Sequence, residues 1–321
     1  MKRILSIAAV FALVFAAVSC QKDTVSSNEA VSFNVVVPAQ PATRAMMSDG
    51  TTADELVYEV YVENELMYEG TVGALPTLTA DGYTHFAVEL QLVKGQKYDI
   101  LFWAQKQGTG FYNTSDLRNV STDYAGALAN DENRDAFYGT LVQYDVAQGN
   151  TTVPLSRPFA QINCAITAAD FIAAAPFITK GLTSKYVVSE AATAFNVFTG
   201  DVIAGNVAAD VIFDYSLAPV SENKYTNDFI SINGTDYTWV AMTYLFAPAA
   251  GKSVNLTAEF MHDKNDAATA IAVPVASVPV KRNYKTNIFG QMLSQVNNIS
   301  VVVVPGFVND KNEDDDFNIN Q

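Results

Sequence analysis

Residues 31–37 read Val-Ser-Phe-Asn-Val-Val-Val, and this run sets the pattern for much of the chain. Alternate residues of an extended strand point to opposite faces, so every second residue here falls on one apolar face. The residues on that face are Val31, Phe33, Val35 and Val37. Pro38 and Pro41 follow, and proline is unfavourable inside a sheet. The run therefore predicts a half-buried β-strand that leads into an exposed loop.

Further runs of alternating or continuous apolar residues recur at short spacing, separated by Gly, Asn, Asp and Pro. They cover residues 56–62, 66–68, 85–92, 98–104, 136–146, 152–155, 161–167, 211–217, 238–246, 253–261, 270–275 and 300–304. Such a series favours an all-β sandwich or barrel. Only residues 168–177 and 123–130 indicate short helices.

The chain is long enough for one large or two medium-sized domains. We expect one β domain over residues 31–155 and a second over residues 156–305, with the boundary near the Arg157-Pro158 step. Residues 306–321 are polar and acidic and read as a tail.

The N-terminus has the features of an exported lipoprotein. Lys2 and Arg3 precede an apolar stretch that is too short to span a bilayer, and small residues lead into Cys20. We therefore predict a signal peptide over residues 1–19 and lipidation of Cys20; an ordinary signal peptide followed by a chance cysteine is the alternative. Residues 20–30 read as a flexible tether, in which Thr24 fits a short O-glycosylation pattern.

Charge and cysteine content exclude some classes of protein. The formal net charge is -15, which opposes binding to the phosphates of nucleic acids. Cys20 and Cys164 are the only cysteines, so lipidation of Cys20 leaves no partner for a disulfide within the chain. Cys164 lies in an apolar run and is expected to be packed in the core.

No residue pattern points to catalysis. His85 and His262 are the only histidines, and neither has a Cys, His or Glu neighbour at metal-ligand spacing. No nucleophile-elbow motif occurs. We expect no metal, no cofactor and no enzymatic activity.

Four stretches, in order along the chain, resemble the fimbrillin-type lipoproteins of Bacteroidales, which form the type V pilin superfamily. They are Thr43-Arg44-Ala45, Asp135-Ala136-Phe137-Tyr138-Gly139, Arg157-Pro158-Phe159-Ala160-Gln161-Ile162 and Lys281-Arg282-Asn283-Tyr284-Lys285-Thr286-Asn287-Ile288. The similarity is greatest to a branch of that superfamily without an assigned function. It implies two consecutive transthyretin-like, Greek-key β-sandwiches.

The resemblance also implies a mechanism of assembly. An arginine-specific protease would cut between Arg44 and Ala45, and the strand at residues 31–37 would leave with the lipid. The groove left behind would accept a strand from another subunit. An uncleaved loop in a permanently anchored lipoprotein is the alternative.

Residues 298–304 are the best candidate for a donated strand. Ile299, Val301 and Val303 share one face, and Val302 and Val304 share the other. Apolar residues on both faces fit a closing strand of the second domain equally well, and we favour the closing strand. Phe317 and Ile319 mark a weaker candidate in the tail.

Together these features predict a surface lipoprotein that is a structural or adhesive fimbrial subunit. Its expected partners are other fimbrial subunits, the outer membrane through the lipid anchor, and a host or bacterial surface ligand. The alternative function is a permanently anchored outer-membrane lipoprotein that binds a glycan or a host protein.

Overall fold

The computed structural model confirms an all-β fold. It describes residues 28–37, 50, 52–75, 83–178, 180–222, 230–232, 234–294, 297–305 and 317–318. The strands of the first half are β1 Asn28–Val37, β2 Glu55–Val62, β3 Glu65–Gly73, β4 Thr84–Val93, β5 Lys97–Gln105, β6 Tyr112–Asn113, β7 Val120–Thr122, β8 Phe137–Asp145 and β9 Thr151–Pro154.

The second half contains the other strands and the one α-helix found among the described residues. They are β10 Phe159–Thr167, α1 Ala168–Ile178, β11 Thr183–Ala192, β12 Ala194–Asn196, β13 Asp201–Val202, β14 Val207–Leu217, β15 Ile230–Ile232, β16 Thr235–Phe246, β17 Lys252–Met261, β18 Ala270–Val280, β19 Tyr284–Gln291, β20 Asn297–Pro305 and β21 Phe317–Asn318. Short 3-10 turns lie at Leu117–Asn119, Glu132–Arg134, Val146–Gln148, Pro219–Glu222 and Ala267–Thr269.

Two sheets form the sandwich of the first half. Their strand orders are β4-β1-β9 and β3-β2-β5-β8. Strand β5 is buried on both faces: Ile100 and Phe102 lie in the core between these sheets, whereas Leu101 and Trp103 face the second half. This position explains why residues 100–104 form a continuous apolar run.

A ten-stranded sheet organises the second half. Its order is β18-β17-β11-β16-β10-β19-β20-β21, with β14 beside β11 and β15 beside β16. One face lines a single apolar core, in which Cys164 is fully buried as expected. Burial raises the pKa of the Cys164 thiol to about 12, so the thiol stays protonated at neutral pH.

A small sheet combines strands from both halves. Its order is β13-β12-β7-β6, and Val120 of β7 pairs with Phe195 of β12. The two halves are thus joined by backbone hydrogen bonds as well as by side chains. The domain boundary between residues 155 and 156 stays a prediction.

Aromatic side chains fill the contact between the halves. The fully buried Trp103 ring lies 5.4 Å from Tyr112, 6.3 Å from Phe195 and 6.3 Å from Phe246, measured between centroids. The indole N–H donates to Gln105 Oε1 at 3.0 Å, so its polar atom is satisfied. Burial of each such ring contributes about 1.5–3 kcal/mol.

The helix predicted at residues 168–177 is confirmed as α1. The Asp170 carboxylate, in its first turn, accepts hydrogen bonds from the backbone N–H groups of Met292 at 2.7 Å and Leu293 at 2.9 Å. These bonds fix the chain just before β20. No helix in the described part of the chain is long and apolar enough to cross a membrane.

The prediction of a helix at residues 123–130 is wrong. The segment runs as turns, and Leu128 forms an isolated parallel bridge with Asp214 of β14. The backbone N–H of Ala129 donates to the Asp214 carbonyl at 2.9 Å. Pairing with a neighbouring strand therefore overrides the local helical tendency.

Some predicted boundaries also shift. β1 begins at Asn28, within the predicted tether, and Phe317–Asn318 of the predicted polar tail form β21. The sequence patterns missed β11 and β19, because both carry buried polar residues. Ser184 in β11 and Asn287 in β19 are each at most 1% exposed.

A buried ion pair lies where the halves meet. The Arg157 guanidinium donates from Nε to both carboxylate oxygens of Asp135, at 2.8 and 3.0 Å, and from Nη2 to Oδ2 at 2.6 Å. Both side chains are at most 2% exposed, and the guanidinium lies 4.5 Å from the Phe137 ring centroid. These residues belong to two of the stretches that carry the family resemblance.

We expect Arg157→Ala to lower the free energy of unfolding by about 3–5 kcal/mol, because it leaves the Asp135 carboxylate buried without its main partner. Urea denaturation followed by tryptophan fluorescence measures the loss. Lys94→Ala is the matched control: it breaks an exposed contact with Glu29 at 3.8 Å and should change little. Equal effects of the two variants would contradict the assignment.

A second buried acid, Glu59 of β2, ties the first sandwich to the turn at Leu117. Glu59 is 2% exposed; its Oε2 accepts from the Tyr61 hydroxyl at 2.6 Å, and both of its oxygens accept from the Leu117 N–H at 3.0 Å. Burial raises the pKa of this carboxyl above its ordinary 4.5, while the hydrogen bonds partly oppose the shift.

The raised pKa of Glu59 predicts a pH dependence. A carboxyl that binds its proton more tightly in the folded state stabilises the fold most at low pH, and that contribution is lost as pH rises from 4.5 through the raised pKa. Glu59→Gln lacks this titration. Its unfolding free energy relative to the parent should therefore increase between pH 4 and pH 7, measured by urea denaturation at each pH. A difference that stays constant with pH would contradict this assignment.

Candidate strand-binding groove

Strand β1 is the middle strand of its sheet. It pairs antiparallel with β4 over its whole length, from Asn28 opposite Val93 to Val37 opposite Thr84. On its other side it pairs parallel with β9, from Phe33 opposite Thr151 to Val36 opposite Pro154. The chain's first described strand therefore occupies a groove between β4 and β9.

The inner face of β1 completes the core of the first sandwich. The four predicted inward residues, Val31, Phe33, Val35 and Val37, are all at most 4% exposed. The Phe33 ring meets Tyr144 nearly edge-on, with centroids 5.0 Å apart, and lies 6.2 Å from Phe102. This face supplies apolar area that β4 and β9 alone would leave exposed.

Polar contacts hold the outer face of β1. Nδ1 of His85, on β4, lies 2.9 Å from Asn34 Oδ1; the amide oxygen accepts, so Nδ1 carries the proton. At the end of the loop before β9, Asn150 Oδ1 accepts from the Ser32 backbone N–H at 2.9 Å. Neither contact can be predicted from the sequence, since nothing in it sets the register between strands so far apart.

Removal of β1 would leave two unpaired strand edges and an apolar trough. The facing backbone groups of β4 and β9 would lose their partners, and the rings of Tyr144 and Phe102 would border a cavity. An open apolar edge of this kind pairs readily with another strand. Without β1, the groove would offer main-chain hydrogen bonds and alternate side-chain pockets to an extended peptide.

The residues predicted for processing lie outside the described residues. These are the signal peptide, Cys20, Thr24, Arg44 and Ala45. β1 ends at Val37 and the description resumes at Gly50, so the predicted cleavage point falls in sequence between β1 and the rest of the sandwich. Cleavage and lipidation stay predictions.

The candidate donor strand lies in the second half. β20 pairs antiparallel with β19, from Asn297 opposite Gln291 to Pro305 opposite Tyr284. Ile299 and Val301 pack on the core of the second half, and Val302 packs on the aromatic cluster between the halves. β20 thus closes its own sheet against β19, and its exchange stays a prediction.

On the outer side of β20 lies the short strand β21. Phe317 pairs with Val303 and Asn318 pairs with Val302. Ile319 and the predicted donor residue Val304 have no described side chain. The second donor candidate, which begins at Phe317, therefore pairs with β20 on the side opposite β19.

The described residues contain no metal centre. No group of three or more His, Cys, Asp or Glu side chains within them is arranged to hold a metal ion. His262 is buried, and burial lowers its pKa below the ordinary value.

Comparison with known proteins gives a family and several structural matches. No curated protein matches the chain. A candidate cell adhesion protein from Bacteroides uniformis matches with 12% identity and a TM-score of 0.49, over 85% of this chain and 96% of that one. A fimbrial assembly protein from Parabacteroides distasonis matches with 12% identity and a TM-score of 0.47, over 86% and 95%.

The tip fimbrial protein Mfa3 from Porphyromonas gingivalis, truncated at its C-terminus, has 12% identity and a TM-score of 0.44, over 86% of this chain and 100% of that one. A family model of unknown function, DUF6562, matches residues 22–320. The chain belongs to the DUF6562 family.

Proposed function

We propose that this chain is a non-enzymatic surface lipoprotein that serves as a structural or adhesive fimbrial subunit. Export and lipidation at Cys20 would deliver it to the outer membrane. Cleavage between Arg44 and Ala45 would then separate β1 from the sandwich, and a strand from another subunit would take its place.

The position of β1 carries this proposal. β1 is the central strand of its sheet and is held there by hydrogen bonds and side-chain packing. Its covalent connection to the rest of the sandwich runs through residues 38–49. A single cut at Arg44 would therefore turn an internal strand into a separate peptide without changing any contact in the groove. The resemblance to fimbrillin-type lipoproteins supports the same order of events.

The joined halves suit a subunit that transmits force along a fibre. Trp103 and its aromatic neighbours pack the halves together, and the Arg157–Asp135 pair lies at their junction. Interfaces with this degree of burial resist hinge motion better than small polar interfaces do.

A second function is favoured by a specific observation. β1 fills its own groove and β20 pairs with β19, so neither strand needs a second chain to satisfy these backbone hydrogen bonds. That state suits a permanently anchored outer-membrane lipoprotein that binds a glycan or a host protein. The two proposed functions differ in whether the chain is cleaved at Arg44: the fimbrial subunit would be cleaved and the permanent anchor would not.

We expect Arg44→Ala to block processing, because an arginine-specific protease needs the arginine side chain at the cut. The variant should keep its lipid and remain monomeric, whereas the parent should start at Ala45 and form polymers. N-terminal sequencing and unboiled gel electrophoresis of surface material measure both.

Ala45→Gly is the matched control: it keeps Arg44 and should be processed like the parent. Polymer ladders from Arg44→Ala would contradict the strand-exchange mechanism. A parent protein that retains a blocked, lipidated Cys20 at the surface would instead support the permanent anchor.

A further inference from the structure

The pocket beneath Phe33 is shaped for an aromatic ring. Phe33 is fully buried, and its ring meets Tyr144 nearly edge-on at 5.0 Å. The Tyr144 hydroxyl donates to the Gly149 carbonyl at 2.7 Å, and this hydrogen bond fixes the orientation of the Tyr144 ring. A smaller aliphatic side chain at this position would leave a cavity and lose the ring contact.

The groove also contacts the side chain of the residue after Phe33. Asn34 Oδ1 accepts from His85 Nδ1 at 2.9 Å. The backbone partner of His85 is Val36, whereas the partner of Asn34 is Ala87, so the contact is diagonal across the pair of strands. A strand shifted by two residues would move its acceptor away from His85, and the contact therefore reports register.

We propose that the groove selects a strand with an aromatic residue at the Phe33 position, followed directly by a hydrogen-bond acceptor. We also propose that the strand bound after cleavage comes from a subunit of different sequence, not from a copy of this chain. This inference rests on the proposed function and specifies its partner. The occupant's other inward residues would be aliphatic, because those of β1 are buried valines.

The chain's own β20 lacks both selected features. In the register that places Ser300 at Ser32, with β20 running as β1 does, Val301 falls in the ring pocket and Val302 falls beside His85. Valine fills only part of the space of a phenyl ring and offers no side-chain acceptor. The rest of β20 keeps an apolar pattern, so β20 would enter the groove but bind it less well than β1.

The chain's tail has the two features and fails elsewhere. Phe317-Asn318 repeats the Phe-Asn pair of β1, but the same register puts Asp315 at Val31 and Gln321 at Val37. Val31 is 4% exposed and Val37 is fully buried, and a carboxylate in such a site is costly. A chain of formal net charge -15 also repels its own copies.

A peptide-exchange assay on the chain from residue 21, cleaved after Arg44, tests the selection. Labelled peptides of residues 28–37, 297–305 and 314–321 compete with the bound fragment 21–44, and fluorescence anisotropy and native mass spectrometry measure occupancy. The peptide 297–305 carrying Val301→Phe and Val302→Asn should bind about tenfold to a hundredfold more tightly than its parent.

Two controls separate recognition from general stickiness. The same two side chains placed two residues later, as Val303→Phe and Val304→Asn, should give no gain, because the ring and the acceptor miss their partners. In a His85→Ala protein, the gain from Val302→Asn alone, about threefold to tenfold, should vanish, whereas the gain from Val301→Phe should persist.

Unmodified peptide 297–305 or 314–321 binding as tightly as the doubly substituted peptide would overturn the selection and make a copy of this chain the donor. Equal gains from the correct and shifted pairs would also overturn it. If labelled 28–37 itself fails to enter the cleaved protein, the groove does not exchange strands, and the proposed function fails with it.

Discussion

Backbone hydrogen bonding on both sides of β1 is the constraint on which the first sandwich depends. A buried strand edge without partners is costly, because each unpaired N–H or C=O forfeits its hydrogen bond to water. β1 satisfies β4 on one side and β9 on the other, although β4 follows it by some fifty residues and β9 by more than a hundred. The sheet thus depends on the first described strand of the chain, whose covalent link to the other strands runs through residues 38–49.

Contacts outside the groove support the other sheet of the first sandwich. The outward face of β5 is buried against the second half through Leu101 and Trp103, and β7 is hydrogen-bonded to β12. Sheet β3-β2-β5-β8 is therefore held from the side opposite the groove. A protein that exchanges one strand benefits from such support, since the transiently open sandwich keeps one of its two sheets in place.

Strands with one buried face could be predicted from sequence, whereas β19, which is buried on both faces and rich in polar residues, could not. Residues 31–37 alternate because one face meets the core and the other meets polar partners. β19 carries Lys285 and Asn287, which suggest exposure, yet both are at most 2% exposed. Asn287 is satisfied across the sheet, where Asn163 Nδ2 donates to its Oδ1 at 2.8 Å. A local pattern cannot indicate a partner that the fold brings from 124 residues away.

The same limit applies to the groove. Its inner face was predictable because Val31, Phe33, Val35 and Val37 reveal their burial by spacing alone. His85 and Tyr144 lie in two of the predicted strand runs, but nothing in those runs indicates that either residue contacts β1. Their roles come from the register of β1 against β4 and from the packing of two sheets, and neither property is written in a local run of residues.

β1 fits its own groove well, so its replacement requires a change that weakens its hold. In the proposed assembly, cleavage at Arg44 is that change, because it removes the covalent link between β1 and the sandwich. While residues 38–49 connect β1 to the sandwich, β1 competes for the groove as an intramolecular ligand, at an effective concentration on the order of millimolar. No strand from another subunit matches that advantage through contacts alone. In this proposal, cleavage would make β1 a separate peptide held near the membrane by the predicted lipid, and the competition would then follow ordinary affinity and concentration. Phe33 and Asn34 then have opposite consequences: they keep the uncut chain closed, and they define what a replacement strand must offer to displace it.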